Sequence, residues 1–333
     1  MTRIAFDGAG LGTGPPTGVA RAFLTGLAAY AAASGHECVL LLPEGAVVDD
    51  LPGVRTVAAP RGALARQRHL PALLRSLRAS VLHSAVASVP LRAPCATIAT
   101  VHDLPWLQPG LGERSSRWRR VATWLALRAA TAIVTPSTLT AADAVRCLGR
   151  RPPHLVVVPH GTALGPAPTA ASTAARCGAF VQLGDDRPRK NRERLRAAHA
   201  LTRRQCAELP GLRLVGPPDA YVSEAAKRTL LQDCRALVHV SRFEGFGLPV
   251  LEGLAHGAPV LASDLPPHRE IAGDDACFVA ADDVEAIAGA LVRLHTDAAL
   301  RWRLAAAGHA RAAQFTPAAV AAAWRQLHTE LGA

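Results

Sequence analysis

Two carboxylates, Glu244 and Glu252, stand either side of the run Gly-Phe-Gly-Leu-Pro-Val-Leu, and this is where the chain concentrates its chemistry. The apolar run 237–240 before them reads as a strand. The segment 248–256 reads as a helix with Pro249 near its first turn, where a missing N–H costs least. Gly245 and Gly247 let the backbone approach a ligand closely. The start of the following helix offers N–H groups and the positive end of a dipole to an anion. Glu244 then falls at a strand's carboxyl end and Glu252 in the first or second turn of the helix, so both can accept hydrogen bonds from sugar hydroxyls. Two glutamates at this spacing mean little by themselves. Strand end, Gly-x-Gly turn, Pro and helix in that order are far more specific.

Three further groups have types and positions suited to chemistry. Pro188-Arg189-Lys190-Asn191 follows a strand-like run at 179–183 and precedes a helix at 192–205. Two adjacent cations there suit a diphosphate, although such a turn taken alone reads first as a solvated basic loop. His102 closes the run 97–102 and is followed by Asp103. A histidine at a strand end either faces a ligand or serves as a structural hydrogen-bonding group. The loop Gly8-Ala-Gly-Leu-Gly-Thr-Gly has no register that gives G-x-G-x-x-G, and no acidic residue ends the second strand. It therefore reads as backbone lining a cleft, with Thr17 and Gly18 opening a helix. Patterns for a P-loop, a zincin, a nucleophile elbow or a D-x-D metal loop are missing from the sequence.

The elements that must hold these residues alternate strand and helix. Strands are expected at 3–7, 37–42, 54–57, 81–83, 97–102, 132–136 and 155–158, and helices at 19–34, 64–78, 115–130 and 138–147. The stretch 160–173 is rich in Gly, Pro, Ala and Thr and reads as a linker. The rhythm then restarts, with strands at 179–183, 212–215, 237–240 and 259–263. Helices are expected at 192–205, 223–234, 248–256, 283–296, 298–314 and 317–331. This is an α/β chain of two Rossmann-like domains in tandem facing across a cleft, with ligands at the carboxyl ends of the strands. The expected boundaries are 1–160, a linker at 161–175, a second domain at 176–315, and a terminal helix at 316–333 that packs back on the first domain.

Composition narrows the function classes. Seven scattered cysteines, never spaced as CxxC, argue for reduced thiols over a disulfide framework or a zinc site. The first residues run straight into a strand without the apolar stretch of a secretory leader, and no run is apolar enough for a membrane span, so a cytoplasmic protein is expected. The net charge of +11 is uneven: residues 1–160 carry 17 Arg, no Lys and 8 acidic residues, a surplus of +9, against +2 for the rest. That surface suits an anionic partner, or is a solvated basic face. The basic, Trp-containing segment 114–128 has the pattern of a helix resting on an anionic membrane, and equally that of a packed helix with a solvated Arg face. Nucleic acid is not expected, because interleaved aromatics and any recognisable module are lacking.

Taken together the residues resemble the family 4 (group 1) retaining glycosyltransferases of the GT-B fold. The likeness runs in order through Thr17-Gly18-Val-Ala-Arg21, His102-Asp103-Leu104, Val134-Thr-Pro-Ser137, Val158-Pro-His-Gly161, Pro188-Arg-Lys-Asn191, the Glu244 to Glu252 element, and Gly257-Ala-Pro-Val-Leu-Ala-Ser263. It is similar above all to the bacterial mannosyltransferases of surface polysaccharides. The resemblance implies that Glu244 and His102 are catalytic. It also implies that Gly18, Arg189, Lys190, Gly245, Phe246, Gly247, Leu248 and Glu252 bind the donor. Arg189 and Lys190 would hold the diphosphate and Glu252 the ribose. Glu244 and the N–H groups of 245–248 would hold the sugar and its leaving phosphate, with His102 reaching the sugar from the first domain. Gly18 would approach the diphosphate from the opposite lip, and 216–220 would lie near the base.

The implied reaction retains anomeric configuration and needs neither cofactor nor metal. Its donor is a nucleotide-sugar, GDP-mannose first, with a UDP- or dTDP-sugar as the alternative. Its acceptor is a saccharide, a lipid-linked saccharide or, alternatively, a small natural-product scaffold, at the inner face of the membrane. A catalytically silent sugar-nucleotide-binding protein is a further alternative. The chain departs from the family in two places: the interval from Lys190 to Glu244 is shortened by roughly one strand–helix unit, trimming the C-terminal domain near 205–212, and Asp185-Asp186-Arg187 is unusual before the basic turn.

Overall fold

The computed structural model describes residues 2–12, 17–111, 113, 115–217 and 221–333. Part of the Gly/Pro loop (13–16), Arg114 of the basic segment, and 218–220 of the stretch assigned to the base lie outside the described residues. The chain divides into two compact units. One comprises Met1–Leu107, Arg114–Gly161 and Pro317–Ala333, the other Gln108–Glu113 and Thr162–Thr316.

The first unit runs β1 (Arg3–Asp7), α1 (Gly18–Ser34), β2 (Glu37–Pro43), β3 (Val54–Ala59), α2 (Ala63–Ser76), β4 (Val81–Ser84), β5 (Ala96–Thr100), α3 (Arg117–Ala129), β6 (Ala132–Thr135), α4 (Thr138–Leu148) and β7 (Leu155–Val157). All seven strands are parallel, in the order β3-β2-β1-β4-β5-β6-β7. Ile4, Ala5 and Phe6 of β1 and Val39, Leu40 and Leu41 of β2 are buried on both faces, which is why these strands read as unbroken apolar runs. Thr17 caps α1 by accepting from the Ala20 N–H at 3.3 Å, and Gly35 ends it in the left-handed region at φ 69°. Strand β5 stops at Thr100, two residues short of the expected end. Val101 donates to Val134 O at 2.9 Å and His102 lies beyond the strand.

The second unit runs α5 (Ala170–Ala174), β8 (Gly178–Leu183), α6 (Arg192–Gln205), β9 (Leu212–Val215), α7 (Glu224–Asp233), β10 (Cys234–His239), α8 (Leu248–Ala255), β11 (Val260–Ser263), α9 (Pro266–Ala272), β12 (Cys277–Val279), α10 (Val284–Thr296) and α11 (Ala298–Ala312). Its five strands are parallel in the order β12-β11-β10-β8-β9. A short connection takes α6 straight into β9, with no strand–helix pair between them.

Three elements escape the sequence pattern. Helix α5 forms inside the expected linker through a capping box between Thr169 and Ser172. Pro266 and Pro267 start α9 rather than break it, because the first helical turn needs no N–H from them. Strand β12 is three residues long, too short to show alternation.

The last helix, α12 (Pro317–Glu330), belongs to the first unit. Its Val320, Ala321, Trp324 and Leu327 join the core of Phe6, Phe23, Leu27 and Tyr30. The Trp324 ring lies 5.9 Å from Phe6 and 5.6 Å from Phe23.

In each sheet the connections leave two adjacent strands in opposite directions, between β8 and β10 in the second unit and between β1 and β4 in the first. Open α/β sheets take ligands at the carboxyl ends of such strand pairs.

Candidate active site

In the second unit the basic turn follows β8 and Glu244 follows β10, so the switch point of the sheet brings them together. Pro188–Lys190 form a single 3₁₀ turn, and Asn191 closes it in the left-handed region at φ 60°. The turn is pinned from three sides. Gln182 of β8 donates to Lys190 O at 2.8 Å, and the Asn191 amide donates to Val240 O at 2.9 Å and Ala281 O at 2.7 Å. Arg242 N–H donates to Arg189 O at 2.8 Å. The turn is buried rather than solvated: Arg189 is 4 % exposed and Lys190 8 %.

Both cations reach Glu244. Lys190 Nζ is 2.7 Å from Oε1 and Arg189 Nη1 3.4 Å from Oε2. Arg189 Nε also pairs with Glu113 at 2.9 Å, and Nη1 donates to Phe243 O at 3.2 Å. Burial alone would push the Glu244 carboxyl up. Lys190, the hydrogen bond from His239, and Arg189 overrule it and hold the carboxyl well below the usual carboxylate range.

Gly247 is the N-cap of α8 at φ 117°, so no side chain caps the first turn, and Pro249 lies within that turn. A Cβ at Gly247 would come 2.8 Å from His268 Cδ2. The turn after β9 is equally tight: a Cβ at Gly216 (φ 119°) would lie 2.1 Å from Gly184 O. Of the expected donor residues, Gly245, Gly247 and Leu248 sit at this helix start beside Glu244. Phe246 adds no ring to the site. It is buried in the core, edge-on to Phe315 at 6.4 Å, and what it offers a ligand is main chain. Glu252, one turn into α8, is held by Lys227 Nζ at 2.5 Å, and Lys227 also reaches Glu224 at 2.9 Å.

In the first unit Gly18 opens α1 behind the Thr17 cap. His102 donates from Nε2 to Ala85 O at 2.7 Å, just past β4. Its Nδ1 is buried without a hydrogen-bond partner among the described residues. His160 stacks on it at 5.3 Å and 22°. The two rings line a recess with Thr100, Phe23 and Trp324. Burial lowers both imidazoles, His160 to about 3 with His102 as the second cause.

Sequence reasoning passed over His239, His268, Lys227 and Glu113, and gave His160 no role beyond its place in the segment 158–161. His239 is fully buried at the end of β10 and donates to Glu244 Oε1 at 2.8 Å. The available signal was a polar residue inside an apolar central strand. Glu113 had none, since it joins the second unit from within the first half of the chain.

Two successive parallel-sheet Rossmann-like units define a GT-B protein. The structure is similar over 99 % of this chain to 99 % of a sucrose-phosphate synthase from Thermosynechococcus elongatus (TM-score 0.78, 20 % identity). It is similar over 99 % of this chain to 99 % of HepE from Anabaena in complex with UDP-glucose (TM-score 0.73, 16 % identity). At these identities the likeness is one of fold. The sequence adds the family. Residues 17–164 match the model of Glycosyltransferase Family 4, and residues 173–297 match that of Glycosyl transferases group 1. The chain belongs to the family 4, group 1 glycosyltransferases. O-antigen chain mannosyltransferase B of Escherichia coli is 34 % identical over 96 residues, which is 29 % of this chain and 25 % of that protein. The chain thus matches about a quarter of the length of that curated relative.

Proposed function

We propose that the protein is a retaining, metal-independent glycosyltransferase that moves mannose from GDP-mannose to a saccharide or lipid-linked saccharide acceptor of a surface polysaccharide. The observation that carries this reading is the buried Arg189–Lys190–Glu244 cluster beside the uncapped start of α8, at the switch point of the second sheet. The two cations and the helix N–H groups hold the donor diphosphate, Glu244 holds the sugar, and Glu252 holds the ribose. His102 contacts the sugar and Gly18 the diphosphate from the first unit. As the sugar–phosphate bond breaks, charge grows on the leaving diphosphate, and fixed cations and helix N–H groups stabilise it without a bound metal. Glu244 is ionised but already engaged by Lys190, His239 and Arg189. That makes it a poor covalent nucleophile and favours departure and attack on one face of the sugar.

Thermal shifts against GDP, UDP, dTDP and their sugars, with and without EDTA, test the reading. Stabilisation by GDP and GDP-mannose, unchanged by EDTA, is expected. A shift with UDP or dTDP alone moves the donor to the second choice, which the UDP-glucose complex of HepE favours. No shift with any nucleotide overturns the donor site. Bound donor with no sugar release would mark a silent binding protein.

The acceptor side is proposed to meet an anionic membrane face. On α3, Trp118 is 63 % exposed and Val121 50 %, beside the exposed Arg117, Arg119, Arg120 and Arg128. Among the described residues no helix is long and apolar enough to cross a membrane. Sedimentation with phosphatidylglycerol vesicles at low salt should carry the protein down, and its remaining in the supernatant defeats this part of the reading.

A further inference from the structure

The geometry points to His239 as the residue that positions Glu244, by fixing which carboxylate oxygen is left for the sugar. This inference rests on the donor-site reading of Glu244.

An ionised carboxylate only accepts hydrogen bonds, so the 2.8 Å contact between His239 Nε2 and Glu244 Oε1 places the proton on Nε2. The imidazole is then a neutral donor with a bare Nδ1, and Nδ1 has no partner among the described residues. Complete burial, which disfavours the charged imidazolium, keeps the ring neutral against the pull of Glu244. Lys190 Nζ occupies the same Oε1 at 2.7 Å. Two donors therefore converge on Oε1, whereas Oε2 meets Arg189 Nη1 at 3.4 Å, the outer limit of a hydrogen bond. Oε2 is the oxygen with capacity for a sugar hydroxyl.

The ring is itself held. His239 is 0 % exposed in the central strand, and Ser241 Oγ lies 3.2 Å from its Nε2. Ser263 Oγ fixes Ser241 by donating to its carbonyl at 2.6 Å, and His268 stands 5.5 Å away at 61°. Lys190 supplies charge from a flexible stem; His239 supplies direction from a rigid one. Without it the carboxylate is held only by Lys190 and Arg189, the groups that also serve the diphosphate, and the sugar loses a rigidly placed acceptor.

The test compares His239→Leu, which keeps volume without a donor, with His239→Gln, whose amide carries an N–H to about the place of Nε2. GDP affinity is measured by calorimetry, and kcat and KM with GDP-mannose by released GDP (or with the pair the thermal-shift panel selects). Both variants should bind GDP nearly as the parent does. His239→Leu should lose about 10- to 100-fold in kcat, the size of loss that follows removal of the outer-shell groups that orient metal ligands. His239→Gln should recover most of that loss. Parental kcat in His239→Leu, or a loss in His239→Gln as large as in His239→Leu, overturns the inference. A parent protein that binds no nucleotide faults the donor-site reading instead. The tautomer is then decided independently by long-range 1H–15N spectra, with the His239 signals assigned from the variants. A ring protonated at Nε2 supports the positioning bond, and a ring protonated at Nδ1 alone overturns it.

Discussion

Lowering the pH from 7.5 to 5 should cost the first unit about 3 kcal/mol of folding stability, and its buried imidazoles set that size. His328 of α12 is fully buried; its Nε2 is 3.0 Å from His83 Nδ1 and its Nδ1 2.7 Å from the Tyr30 hydroxyl. The Tyr30 hydroxyl lies 2.6 Å from His36 Nδ1, which completes a chain from the sheet interior to the rim. Burial, and then His36, lowers His328 to about 3; burial, and then His102, lowers His160 to about 3. These folded-state values lie below the roughly 6.5 of an exposed imidazole. The unfolded chain therefore takes up protons as pH falls through about 6.5 while the folded unit does not. The stabilising contribution is complete above that pH and is lost as pH falls toward the folded values. Each group removes about 2 kcal/mol by pH 5, or about 4 for the pair.

Asp7 works in the opposite direction. Burial outweighs Arg66 and raises its carboxyl to about 6, so folded Asp7 takes up its proton before the unfolded chain does. That returns about 1 kcal/mol at pH 5. His83 and His102, both lowered chiefly by burial, add to the loss. A deficit near 3 kcal/mol is a large part of the 5–15 kcal/mol that typically holds a domain together, roughly speaking. Urea unfolding between pH 7.5 and 5 is the assay, followed by the fluorescence of Trp106, Trp118, Trp124 and Trp324 in this unit. His328→Leu should flatten the dependence by about 1.4 kcal/mol per pH unit between pH 6 and 5. A flat parent curve, or equal slopes in parent and variant, refutes the reasoning.

Glu244→Gln removes the negative charge facing Lys190 and Arg189, so calorimetry should show GDP binding at least as tightly while turnover falls about 100-fold; equal losses in both contradict the assigned role. Gly247→Ala forces a Cβ into a backbone at φ 117° and 2.8 Å from His268 Cδ2, and should cost about 2 kcal/mol in urea unfolding. Gly149→Ala, in the left-handed region at φ 68° but with open space around it, should cost about 1 kcal/mol, and a cost equal to that at Gly247 removes the steric argument. Arg176→Met strips its donors from Leu231 O at 2.7 Å and Gly257 O at 2.8 Å, leaving Leu231 O only the weak Cys234 thiol donor; a loss of about 3 kcal/mol in unfolding free energy is expected, with GDP affinity retained.

How far the sequence could be read follows from what each residue depends on. The strands of the first sheet and helices such as α6 and α1 are local statements: apolar runs, a capping threonine, a closing glycine. They were legible within a residue or two. The Glu244 element and the Arg189–Lys190 turn were legible because each sits at a strand end that the pattern itself marks. What the pattern withheld was partnership across the sheet. Nothing in the linear order says that β10 lies beside β8, and so nothing told that Lys190 would close on Glu244 rather than face solvent. His239 showed only as a polar residue within an apolar strand, and its bond to Glu244, five residues on, depends on the course of the loop between them. Strand β12 and helix α5 are too short for any periodicity to register.

Under the proposed function, these hidden partners change how the site works. Its two diphosphate-binding cations are each paired within the protein: Lys190 with Glu244, and Arg189 with Glu113 and Glu244. A diphosphate must draw them from those carboxylates, so its binding is an exchange and yields less than bare charges would give. The start of α8 has no competing side-chain cap and enters the exchange at no such cost. When the sugar departs, charge accumulates on the leaving phosphate and the same cations attract it more strongly than before. Interactions that strengthen in the transition state raise turnover instead of ground-state affinity. Carboxylates beside the phosphate-binding cations thus serve catalysis by keeping the donor from binding too tightly, and Glu244 does so while offering its second oxygen to the sugar.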